Sequence, residues 1–230
     1  MNIEAISING DCFNMGIDSL NDFPHSPDTI TSMEIWETNC TCGQGEHQLS
    51  KRCRITNPVY STDLPSELVN FSNLRELRMY RFDFIKSISP GRWTNSLQIL
   101  EIHIGHIFSL PDDIGSLPNL TRLCLSSNSM TLLPLTIGQL SKLESLDISM
   151  NRLTYLPSEF NGLVNLKELI ASKNKIKRCL IDFSQLINLE VVDLHWNHLT
   201  HIDFKHCPKL TRVDISENTI DVAKIAFSYL

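Results

Sequence analysis

Two groups of residues have the types and spacing that chemistry asks for. Cys40 and Cys42 are followed by His47 and then Cys53, three thiols and an imidazole of the kind that tetrahedral zinc accepts. Farther on come His195, His198 and His201, with His206 and Cys207 beyond. A spacing of three would align the imidazoles on one face of a helix. The positions argue against both. The cysteine spacing fits no common zinc module, and Cys40 and Cys53 fall where an inward apolar side chain belongs. A free cysteine fills such a place as a small hydrophobe. Core or loop cysteine is thus the first reading, with zinc and a disulfide as alternatives. The histidines fall on a strand, beyond it and on a turn, pointing in different directions, so they read as surface residues. No nucleophile elbow, P-loop or glycine-rich phosphate loop occurs, and the nine glycines are scattered. The expectation is a chain with no catalysis, no cofactor and no metal.

What positions every residue is a repeat. Units open at Leu97, Leu120, Leu143, Leu166 and Leu189, a constant 23 residues apart. The three best copies read Leu120/Leu123/Leu125, Leu143/Leu146/Ile148 and Leu189/Val192/Leu194, followed at one offset by Asn128, Asn151 and Asn197. A fixed period of this size marks a solenoid, in which each unit contacts only its neighbours. The closely spaced apolar residues face inward from a short strand. Asn128, Asn151, Asn174, Asn197 and Asn218 can form a ladder that pairs backbone groups of adjacent turns, since buried polar groups need partners. Phe82 and Gly105 stand at the earlier places and cannot contribute.

The phase is fixed from Leu74/Leu77/Met79 to a last unit at Leu210/Val213/Ile215. Upstream, degenerate units can be placed at Ile3/Ile6/Ile8, Ile30/Met33/Ile35 and Ser50/Cys53/Ile55. Val222, Ile225, Ala226 and Tyr229 suit a short amphipathic cap. The expectation is an α/β solenoid of about ten units in one domain, residues 1–230. Residues 1–73 form degenerate N-terminal repeats or a cap, 74–220 the regular repeats and 221–230 the C-terminal cap. Parallel strands line the concave face, with loops and short 3₁₀ or extended segments on the convex face.

The linkers SLPDDIGSLPNL, LLPLTIGQLSKL and YLPSEFNGLVNL share L-P-x-x-(I/F)-x-x-L. Together with the strand pattern this resembles the leucine-rich repeats of the intracellular class that includes Ras-suppressor protein, scribble and erbin, and the plant intracellular Ras-group-related repeat proteins. The resemblance holds from Leu97 to about Asn174 and fades at both ends, where Cys179-Leu180 and Ile202-Asp203 replace Leu-Pro. It implies a binding scaffold without catalytic chemistry. Cys40, Cys42 and Cys53 ahead of Leu64-Pro65 also resemble the cysteine-bearing N-terminal cap of extracellular leucine-rich repeat proteins, which is where a disulfide reading comes from.

Composition narrows the setting. A net charge of −6 gives no basic footprint for nucleic acid. No run approaches a membrane span, and the start has neither a basic nor an apolar signal region. Asn2 does not permit N-myristoylation. Seven cysteines, an odd count, fit reduced thiols in a reducing compartment. Sequons occur at Asn39, Asn70 and Asn119, hardly more than chance supplies, and are read as unglycosylated. The expected location is cytoplasmic, with secretion into a host cell or an extracellular site as alternatives, and the expected state is a monomer.

Information about partners should lie on the concave face, where alternate strand residues point outward. One column reads Arg78, Glu101, Cys124, Asp147, Ile170, Asp193, Asp214. The next reads Tyr80, His103, Ser126, Ser149, Ser172, His195, Ser216, and the outermost Arg81, Ile104, Ser127, Met150, Lys173, Trp196, Glu217. Basic and aromatic residues thus gather at Arg78, Tyr80 and Arg81, and acids farther along. The candidate partner-binding residues are Asp147, Met150, Ile170, Asp193, His195, Trp196 and Asp214. An exposed tryptophan among apolar neighbours suits an interface anchor. Aspartate in L-D-I-S can equally be ordinary repeat sequence. Trp93 reads as linker packing. The expected function is non-catalytic protein binding, with a partner that carries a basic patch. The alternatives are the recognition domain of a host-directed bacterial effector and an extracellular binding domain.

Overall fold

The leucine repeat dictates a sheet in which each unit lays one short strand beside the last. The computed structural model describes residues 3–8, 11–14, 32–37, 71–80, 91–103, 105–204 and 206–220. The strands are β1 (Ile3–Ile8), β2 (Asp11–Asn14), β3 (Ser32–Glu37), β4 (Glu76–Tyr80), β5 (Ile99–His103), β6 (Arg122–Cys124), β7 (Ser145–Asp147), β8 (Tyr155–Leu156), β9 (Glu168–Ile170), β10 (Arg178–Cys179), β11 (Val191–Asp193) and β12 (Arg212–Asp214). All but β8 and β10 join one sheet, in the order β12-β11-β9-β7-β6-β5-β4-β3-β1-β2. From β3 to β12 every neighbouring pair is parallel. The register stacks Leu77, Leu100, Leu123, Leu146, Leu169, Val192 and Val213 into one inward column.

The N-terminal edge departs from the repeat reading. β1 runs antiparallel to both β3 and β2, so Ile3/Ile6/Ile8 belongs to a hairpin at the sheet edge and not to a repeat strand. Side chains alternate with period two in either direction, and the apolar pattern cannot tell one from the other. The Ile30/Met33/Ile35 unit is in phase, since Met33 pairs with Leu77 and Ile35 with Met79. β3 and β4 pair directly, and the Ser50/Cys53/Ile55 unit lies outside the described residues. Among the described residues eight strands of the sheet run parallel, against about ten units expected. Cys40, Cys42, His47, Cys53, Arg81, Ile104 and the expected cap at 221–230 lie outside the described residues.

On the convex side, linkers carry single 3₁₀ turns at Asp112–Ser116, Leu135–Gln139, Ser158–Gly162 and Phe183–Gln185. Pro111, Pro134 and Pro157 precede the first three with φ of −70°, −64° and −77°, a fixed dihedral suited to entering a helical turn. Each turn buries one apolar residue: Ile114, Ile137, Phe160 and Phe183. These are the Ile/Phe positions of the linker motif, and they meet the inward leucines to form one continuous core. An earlier linker forms α1 (Arg92–Ser96), and Trp93 on it is buried as expected of packing. Successive turns approach backbone to backbone. A Cβ on Gly138 would strike the carbonyl oxygen of Glu159, and one on Gly162 that of Gly138.

The asparagine ladder is present. Asn151 Nδ2 donates to the carbonyls of Leu125, Ile148 and Ser149 at 2.9, 3.1 and 3.0 Å, while its Oδ1 accepts the Met130 N–H at 3.0 Å. Asn174, Asn197 and Asn218 repeat the arrangement. Asn128 donates in the same way, but its buried Oδ1 has no partner among the described residues, and Gly105 holds the preceding place.

Candidate functional site

The concave surface follows from how each unit leaves its strand. The residue before each asparagine is in the left-handed region: Ser127 at φ 61°, Met150, Lys173 and Trp196 at 55°, and Glu217 at 54°. Left-handed backbone disfavours residues with a Cβ, so neighbouring interactions must hold it. Backbone bonds to the next unit supply part of this, with Met150 N donating to Ser172 O at 2.9 Å and Trp196 N to Ser216 O at 3.0 Å.

The aspartates supply another part. Asp147, Asp193 and Asp214 each use Oδ1 to accept the backbone N–H two residues on, from Ser149 at 2.9 Å, His195 at 3.0 Å and Ser216 at 3.0 Å. Such a local side-chain bond organises a turn, so aspartate in this slot has a structural reason as well as a charge. The Ser216 hydroxyl also donates to Asp214 at 2.6 Å, and these hydrogen bonds hold the Asp214 carboxyl below its ordinary pKa.

Register places Cys124, Asp147, Ile170, Asp193 and Asp214 side by side across β6, β7, β9, β11 and β12. Ile170 is half-buried and separates two acids. The Cys124 thiol is buried, donates to Asp147 Oδ2 at 3.7 Å, and is pushed up in pKa by that burial. Asp193, His195, Trp196 and Asp214 come together on the last two units. The His195 and Trp196 rings meet edge to face at 6.0 Å and 84°, and His195 Nδ1 lies 3.5 Å from Ser216 Oγ. Trp196 is 59% exposed. Met150, 51% exposed, shares its column, but Lys173 stands between them. Two strand spacings of ~4.8 Å put the pair roughly 10 Å apart, so Met150 and Trp196 do not form one apolar cluster.

A second constellation, around Glu101, went unread in the sequence. Glu101 Oε2 accepts from Arg78 Nε at 2.9 Å and lies 3.3 Å from His103 Nε2, while Oε1 accepts from Arg122 Nε at 3.1 Å. Tyr80 stacks on His103 with centroids 5.4 Å apart. Burial pushes the Glu101 pKa up, but the bonds from His103 and Arg78 outweigh it and the net direction is down. Arg78 also pairs with Glu76 at 3.0 Å, so the charge of Arg78 is met within the protein. Arg122 lies in a different strand column from Arg78, which is why the column reading overlooked it.

His195 lies two residues past the end of β11 and is half-buried, whereas His198 and His201 follow farther along the chain and are exposed. Among the described residues no group of three or more His, Cys, Asp or Glu side chains could hold a metal ion. Cys124, Cys179 and Cys207 are free. No helix among the described residues is long and apolar enough to cross a membrane.

Comparison with known proteins places this geometry. Solved structures with the same fold include a leucine-rich repeat protein of Leptospira interrogans, 30% identical with a TM-score of 0.61, covering 70% of this chain and 42% of that one. Another is the leucine-rich-repeat ectodomain of a plant membrane receptor kinase from Arabidopsis thaliana, in complex with Casparian strip integrity factor 2. It is 26% identical with a TM-score of 0.56, over 68% of this chain and 20% of that one. The functional domain of InlJ from Listeria monocytogenes, which includes a cysteine ladder, is 25% identical with a TM-score of 0.57, over 71% and 35% of the two chains. This chain thus spans less than half the length of each. No curated protein matches it. The family described as leucine-rich repeat region matches residues 55–213. That match covers most of the chain, which belongs to the leucine-rich repeat family.

Proposed function

We propose that the chain is a non-catalytic protein-binding domain whose concave face, in its C-terminal half, holds the partner. Leucine-rich repeat domains generally mediate protein–protein contacts, and the plant receptor ectodomain was solved in complex with Casparian strip integrity factor 2. The observation that carries the reading is Trp196, 59% exposed on a fixed left-handed turn and flanked by His195. A large, rigid, exposed aromatic loses little entropy on docking and gains much from burial. Asp193 and Asp214 keep a second carboxylate oxygen beyond the one bonded to the backbone, Asp147 shares its second with the Cys124 thiol, and the three charges favour a basic partner segment running across β7 to β12. Ile170 and Met150 add apolar contact on either side. The domain works as a monomer.

The cytoplasm is the proposed location, by resemblance to the intracellular repeat class. The odd count of seven cysteines fits it, as in a compartment that keeps thiols reduced. Mass spectrometry of the native protein tests this, and disulfides or glycans would move the reading to the extracellular alternative. The binding reading is tested by isolating the partner and titrating it against Trp196→Ala and Asp193→Asn.

A further inference from the structure

Past the asparagine ladder the chain runs down one flank of the solenoid, beside the concave face. Neighbouring units are stitched there by Thr131 N to Phe108 O at 3.2 Å, Arg152 N to Met130 O at 2.9 Å, and Lys175 N to Leu153 O at 2.9 Å. Lys177 N donates to Thr154 O at 2.9 Å, and Arg178 pairs with Tyr155 between β10 and β8. Four successive units therefore present one continuous strip. Its first half is apolar, with Phe108 55% and Leu132 47% exposed. Its second half is basic, with Arg152, Lys175, Lys177 and Arg178 all exposed. The ion pairs of the described residues are made by Arg78, His103, Arg122 and Lys167, and none by these four cations. Four exposed cations without an acid partner, side by side in a chain of net charge −6, form a localised positive field.

We propose that this flank is a second docking surface, which takes an acidic segment of a partner protein that has an apolar end. The apolar end covers Phe108 and Leu132, and the carboxylates meet Arg152, Lys175, Lys177 and Arg178. Three strand spacings of ~4.8 Å make the strip about 15 Å long, which about ten helical residues span at ~1.5 Å each. A discrete segment of this kind fits better than an extended polyanion. Nucleic acid or an anionic bilayer would also feel the acidic concave column of the same units and the negative charge of the whole chain.

The probe is a fluorescein-labelled synthetic peptide of about ten residues, the length the strip accommodates, with a Leu-Phe end followed by glutamates. Fluorescence anisotropy with the full chain should show saturable binding that weakens as salt shortens the Debye length. Lys175→Glu with Lys177→Glu and Arg178→Glu should weaken it by about tenfold or more, through like-charge repulsion. Phe108→Ser with Leu132→Ser should weaken it as well, and Trp196→Ala should leave it unchanged, which separates this surface from the concave one. All the substituted side chains are exposed, and circular dichroism verifies folding. The proposal is overturned if the peptide fails to bind the wild-type chain or binds the charge-reversed variant equally well. It is also overturned if phosphatidylserine vesicles or duplex DNA bind through these residues while the peptide does not.

Discussion

The carboxylate of Asp193 accepts the backbone N–H of His195 at 3.0 Å, and so fixes the turn on which Trp196 stands. One residue thereby serves both the fold and the surface charge, and two substitutions separate the roles. Asp193→Asn keeps an acceptor oxygen and removes the charge, whereas Asp193→Ala removes both. We expect the alanine variant to lose about 1 kcal/mol, the net worth of such a bond, and the asparagine variant to stay near wild type. Urea unfolding measures the difference.

The asparagine ladder predicts a graded series. Asn151→Ala orphans the carbonyls that its amide serves and the Met130 N–H, and should cost about 2–3 kcal/mol. Asn128→Ala should cost less, because Asn128 Oδ1 has no partner to lose among the described residues. Equal losses in urea midpoint would show that the unpaired oxygen does not matter.

Gly138 sits where stacked convex turns touch. Gly138→Ala drives a Cβ into the Glu159 carbonyl, which is backbone and cannot rotate away. A loss of about 1–3 kcal/mol, as for an overpacked site, is expected in chemical denaturation. Neighbouring Gln139, exposed on the same turn, should tolerate alanine.

Glu101 predicts a pH dependence. Its folded pKa lies below the ordinary glutamate value because His103 and Arg78 favour the carboxylate against the opposing effect of burial. The unfolded state binds the proton more readily. The contribution is therefore complete above the unfolded pKa and is lost as pH falls through the lower folded value. Unfolding midpoints measured downward from about pH 5 should fall less steeply for Glu101→Gln than for wild type. Parallel curves would remove Glu101 as a contributor.

The repeat was legible because one period fixes strand, turn and core together. The inward column from Leu77 to Val192 and the buried Ile/Phe of each linker follow directly from it. Strand direction at the N terminus was not legible, since Ile3, Ile6 and Ile8 alternate equally well in either sense. Nor did the pattern disclose that Arg78 and Arg122 converge on Glu101, a contact across three strands that no single column displays. The candidate site was legible as a set of outward residues. Their grouping was not, because Lys173 separates Met150 from Trp196, and the local bonds of the aspartates depend on a left-handed turn that no glycine announces.

The central claim is that the C-terminal concave surface binds a protein partner. Its most direct test is the dissociation constant of the purified partner for the wild-type chain, for Trp196→Ala combined with Asp193→Asn, and for the convex control Val164→Ser. Loss of an anchoring aromatic at an interface costs on the order of 2 kcal/mol. The account predicts binding weakened by at least about tenfold in the concave variant and unchanged in the control. Full affinity in the concave variant, with the fold intact, would contradict it.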